Sequence, residues 1–143
     1  MLWPGARAQA LSARSVDGGL VYAIGDIHGR YDLLKRLLAD ISADAELRGQ
    51  RPTLVFLGDY VDRGPDSARV LQALWWLQRW ADLDVRLLKG NHEAALLRFV
   101  HDPESAGPWL AFGGRETLAA YGVQAPEEGS GPELRRLCDE FLV

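Results

Sequence analysis

Three times along the chain, a short apolar run gives way to a polar block, and the block to apolar residues at helical spacing. The runs are residues 20–24, 53–57 and 85–88, each short, rich in β-formers and expected to be a buried strand. After the first block, Leu33, Leu34, Leu37, Leu38 and Ile41 fall on one helical face, which predicts a helix over residues 31–44. Asp32 stands in its first turn, where a carboxylate suits the helix dipole. Pro65 and Asp66 open the next helix, with Val70, Leu71, Leu74 and Leu77 as its core stripe. Trp75, Trp76 and Trp80 widen that stripe and are expected to pack in the core or against a neighbouring helix. A third helix starts within the third block, runs through Ala94, Leu97 and Val100, and stops at Asp102-Pro103.

Beyond it the strand signal ends. Gly113-Gly114 precedes a short helix over residues 115–121, and a Gly/Pro/Glu loop leads to a last helix over residues 133–142. Residues 1–19 read as a leader closed by the turn Asp17-Gly18-Gly19. The rhythm of strand, block and helix predicts an α/β fold of βαβ units, with a mainly parallel sheet and right-handed crossovers. Ligands in such sheets collect beyond the carboxyl ends of the strands, where all three blocks stand.

The chain's 143 residues suffice for one domain with a core. A net charge of −4 argues against a general nucleic-acid binder. No apolar run has the length of a bilayer span, and the arginine-bearing N-terminus does not read as a secretory signal. The single cysteine, Cys138, excludes an internal disulfide, fits a reducing cytoplasm and reads as a small buried apolar residue.

The chemistry is concentrated in the blocks: Gly25-Asp26-Ile27-His28-Gly29, Gly58-Asp59-Tyr60-Val61-Asp62-Arg63-Gly64 and Gly90-Asn91-His92-Glu93. Asp26 and His28 flank one residue of a tight loop and can reach one metal ion together. The two carboxylate oxygens of Asp59 can bridge two cations, which two-metal phosphoesterases hold about 3.5–4 Å apart. Arg63 has a planar fork that suits a tetrahedral phosphate. Asn91 offers a neutral oxygen ligand. His92, with Asp62 as the candidate partner, can protonate a poor alkoxide leaving group. Glu93 reads as fixing the loop or starting the helix, and His101 as a favourable helix-end residue.

The blocks match the GDxHG, GDxxDRG and GNHE signatures without substitution, and the chain resembles the phosphoprotein phosphatase family. Residues 107–122, with Gly-Gly-x-x-Thr-Leu and Tyr-Gly, look most like bacterial and phage-type serine/threonine phosphatases within the calcineurin-like metallophosphoesterases. The resemblance implies the N-terminal half of a helix-flanked β-sandwich over residues 20–143, with the C-terminal half of the domain outside the chain. It implies two divalent ions of manganese, iron or zinc: Asp26 and His28 on the first, Asp59 on both, Asn91 on the second. It makes Arg63 the phosphate ligand, His92 and Asp62 the acid pair, and a metal-activated water the attacking group.

The resemblance implies two further histidine ligands for the second ion, beyond the stretch that this chain covers. The expectation is therefore at most one tightly bound dication, and an uncovered apolar sheet face that favours self-association. Substrates on this reading are phosphorylated proteins or small phosphoesters, with no nucleic-acid or membrane partner. Two alternatives stay open: a dinucleoside polyphosphate hydrolase, and a catalytically silent fragment that binds one metal.

Overall fold

A computed structural model describes residues 18–127 and 129–143 of the chain. The leader expected over residues 1–19 therefore lies, apart from Gly18 and Gly19, outside the described residues. Strands β1 (Leu20–Ile24), β2 (Pro52–Phe56) and β3 (Asp84–Leu87) form one parallel sheet in the order β1-β2-β3. Helices α1 (Tyr31–Arg48) and α2 (Ser67–Trp80) make the two crossovers. Both lie on one face of the sheet, where Leu34 and Ile41 of α1 and Val70 and Leu74 of α2 enclose Ile24, Leu54 and Phe56. These three sheet residues are buried because the strand period of two turns them all to the same side.

On the opposite face, Val21, Thr53 and Asp84 stand in one row, and Ala23, Val55 and Arg86 in the next. None of these six is buried. The open face is thus largely apolar on β1 and β2 and charged on β3.

Helix α1 outruns its expected end at residue 44, since Ala45 is still buried and Gly49 closes the helix in a left-handed conformation. Helix α2 starts at Ser67, two residues later than expected. Of the two places expected for the tryptophans, the core is overturned for two of them: Trp75 is 56% exposed and Trp76 is 54% exposed, and both border a groove shared with α1. Val70 and Leu74 fix the buried stripe at a spacing of four, and each further residue turns about 100° away from it. The side chain of Trp80 is outside the described residues.

Helix α3 (Asn91–His101) leads into a 3-10 turn (Pro103–Ala106), a short helix α4 (Gly107–Trp109) and an irregular turn (Leu110–Gly114). Then follow α5 (Arg115–Ala120) and α6 (Gly131–Phe141). Glu133 accepts the Ser130 N–H, a capping box that places the start of α6 two residues before the expected one. These elements bury a second core of Phe99, Trp109, Leu110, Leu118, Leu134, Leu137 and Cys138. Leu96 of α3 packs against both cores. Cys138 is buried as expected, and burial pushes its thiol above the ordinary range. His101 ends α3 in an exposed position, as expected of a helix-end residue.

Candidate active site

The loops after the three strands are stitched into one surface by the backbone. Ile27 N and His28 N both donate to Asp59 O, at 3.0 and 2.9 Å, and Gly29 N donates to Tyr60 O at 2.8 Å. The third loop is joined through Glu93, whose carboxylate accepts from Asp59 N, Tyr60 N and Gly90 N at 2.7–2.9 Å. Glu93 thus both fixes a loop and caps α3, as the sequence suggested. Nearby, the Tyr60 hydroxyl donates to Leu88 O at 2.5 Å. Burial, reinforced by the negative charges of Glu93 and Asp59, pushes its pKa up to about 12.

His28, Asp59 and His92 each bring a ligand atom into one group, all within 4.8 Å of one another. His28 Nδ1 lies 2.9 Å from Val61 O, which can only accept, so that nitrogen carries the hydrogen. Nε2, the other ring nitrogen, faces the group. Asp26 Oδ2 stands 3.7 Å from it. Asp59 Oδ1 accepts the His92 backbone N–H at 3.1 Å.

His92 Nδ1 is 2.7 Å from Asp62 Oδ2, and both side chains are buried. His92 Nε2 therefore points the other way, to the same region as His28 Nε2. The Arg63 fork spans the two: Nη1 is 3.0 Å from His28 Nε2 and Nη2 3.1 Å from His92 Nε2. The two imidazoles meet edge to face with ring centres 4.6 Å apart. A guanidinium seated on both nitrogens shows that this donor set accepts positive charge, and a carboxylate with imidazoles suits a divalent transition metal.

Asn91, the first residue of α3, is exposed and lines a cleft of about 320 Å³ with Arg63, His92, Ala95, Pro108, Trp109 and Phe112. The structure thus gathers Asp26, His28, Asp59, Asp62, Arg63, Asn91 and His92 around one edge of the sheet.

Two partners of the Asp62 carboxylate lie outside the blocks. Trp109 Nε1 donates to Asp62 Oδ2 at 2.8 Å, and the Thr117 hydroxyl donates to Asp62 Oδ1 at 2.7 Å. Thr117 falls within the Gly-Gly-x-x-Thr-Leu stretch, a signal that marked the segment without suggesting a task for the residue. Trp109 carried no signal of its own.

The fold and the donor set define a metal-dependent phosphoesterase class, and the model of the calcineurin-like phosphoesterase family matches residues 19–139. The chain belongs to that family. It is 37% identical over 94 residues to serine/threonine-protein phosphatase 2 of Escherichia coli, covering 66% of this chain and 38% of that protein. It is 38% identical over 115 residues to a symmetrical bis(5'-nucleosyl)-tetraphosphatase of Legionella pneumophila, covering 80% of this chain and 37% of the relative. The corresponding Klebsiella pneumoniae enzyme is 45% identical over 76 residues, or 53% of this chain and 24% of its own length. The chain therefore spans well under half the length of these relatives. Among the described residues, no helix is long and apolar enough to cross a membrane.

Proposed function

We propose that the chain carries the catalytic groups of a metal-dependent phosphomonoesterase acting on phosphoserine or phosphothreonine in proteins, in the cytoplasm. The observation that carries this reading is the buried His92–Asp62 pair, held beside Arg63 and the convergent donors His28 and Asp59. Asp26, His28 and Asp59 would hold one dication tightly, with Asn91 and Asp59 facing a second. A bound divalent ion supplies charge stabilisation and water activation to phosphoryl transfer. Arg63 binds the phosphate as a bidentate fork. Once Arg63 has left Nε2 for the phosphate, His92 can carry a proton on Nε2 and deliver it to the departing alkoxide, while Asp62 keeps the Nδ1 hydrogen and the ring in place.

Replacing His92 tests the acid. His92→Asn should cut kcat on a phosphoserine peptide by about 10²–10⁴-fold. The loss on p-nitrophenyl phosphate should be much smaller, because nitrophenolate departs without a proton. Unchanged turnover of the phosphopeptide would overturn the assignment.

A second reading, hydrolysis of dinucleoside polyphosphates, is favoured by the tetraphosphatase relatives, one of which matches 80% of this chain. Initial rates on a phosphoserine peptide and on diadenosine tetraphosphate, measured side by side, separate the two. If neither is turned over while one manganese ion per chain is retained after dialysis, the chain is a silent metal binder.

A further inference from the structure

Asp62 and Arg63 are two consecutive non-glycine residues in the left-handed region, with φ of 73° and 67°. Each costs roughly 1 kcal/mol or more, so the pair persists only where its surroundings hold it. Ser67 Oγ accepts the Asp62 N–H at 3.2 Å, and the rest of the hold comes from a segment far along the chain. The Asp62 backbone N–H donates to Thr117 Oγ1 at 2.8 Å, and the Arg63 N–H donates to Gly113 O at 3.1 Å. Gly113 has φ 112°, and a Cβ there would stand 2.6 Å from Arg63 N, so only glycine permits this approach.

The same segment grips the Asp62 carboxylate. Thr117 returns its hydroxyl hydrogen to Oδ1 at 2.7 Å, while Oδ2 takes Trp109 Nε1–H at 2.8 Å and His92 Nδ1 at 2.7 Å. Asp62 and Thr117 are both 0% exposed. With three donors fixed on two oxygens, the carboxylate cannot rotate, and the imidazole that it anchors keeps Nε2 turned toward Arg63.

We infer that Thr117 is a positioning residue for the acid pair. Acting through Asp62, with Trp109 as its counterpart on the other oxygen, it sets the orientation of His92. This rests on the assignment of His92 and Asp62 as the acid pair.

The test compares Thr117→Val, which keeps the shape and removes the hydroxyl, with Thr117→Ser, which keeps the hydroxyl. In proton NMR, the His92 Nδ1–H is a low-field resonance identified by its loss in His92→Asn. Thr117→Val should shift or broaden it and lower kcat on a phosphoserine peptide about tenfold, a part of the acid's contribution, with KM within about twofold. Thr117→Ser should restore both. A folded Thr117→Val chain with an unmoved resonance overturns the inference, and so does a loss that Thr117→Ser fails to rescue. Should Thr117→Val not fold, Trp109→Phe removes the other donor and must move the same resonance. The resonance is read without turnover, so failure here is distinct from failure of the proposed function, which the His92→Asn kinetics decide.

Discussion

The two oxygens of Glu93 divide four backbone N–H groups between them. Oε1 takes Tyr60 N at 2.7 Å and Val61 N at 3.4 Å, while Oε2 takes Asp59 N at 2.8 Å and Gly90 N at 2.9 Å. A carboxylate can do this because it only accepts. In Glu93→Gln one oxygen becomes an NH₂ that faces N–H groups, leaving donors without an acceptor. The expected cost is about 2 kcal/mol, seen as a lower urea midpoint at unchanged slope. An unchanged midpoint would show that the loops are held by other means. The role of Glu93 was legible because it is local: the residue stands three positions into a helix that starts at the block. The pairing of Asp62 with His92 was legible because two block residues had matching chemistry. Trp109 and Thr117 lie 47 and 55 residues from Asp62, and no local pattern connects them to it.

At the scale of elements, the short apolar runs rich in β-formers located all three strands to within a residue. Helices α1, α2, α3, α5 and α6 were found as well, though not the short α4, and the inward face of α2 was read too broadly. Apolar character alone does not separate a core position from an aromatic on the outer side of an amphipathic helix. Trp75 and Trp76 border a groove of about 460 Å³ with Tyr31, Lys35 and Arg69. Arg79 lies over the Trp75 ring at 5.9 Å. The outward placement has an energetic consequence. Trp75→Ser and Trp76→Ser should each change unfolding free energy by less than about 1 kcal/mol, whereas Leu74→Ala, on the buried stripe, should cost about 2–5 kcal/mol. Urea titration of the three variants measures the contrast. Tryptophan variants as damaging as Leu74→Ala would return the indoles to the core.

At the scale of the whole molecule, the described residues form two cores, one under the sheet and one among α3 to α6, and the candidate site lies between them. Loops of the first core supply His28 and Asp59, α3 supplies His92, and the second core reaches in through Trp109 and Thr117 to Asp62. A cation held by the first group should therefore stabilise the second core, provided the two unfold together. Cys138 reports on that second core, since it is buried in α6 with Sγ 3.8 Å from Val100 O. A manganese concentration of about one hundred times Kd adds about 2.7 kcal/mol to the folded state. If alkylation of Cys138 requires cooperative opening, its rate should then fall about a hundredfold. In Asp59→Asn, which loses a donor from the group, the metal should leave the rate nearly unchanged. A Cys138 rate indifferent to manganese, in a chain whose thermal midpoint does rise with the ion, would mean that α6 opens independently. The contacts of Asp62 would then position side chains without coupling the two cores.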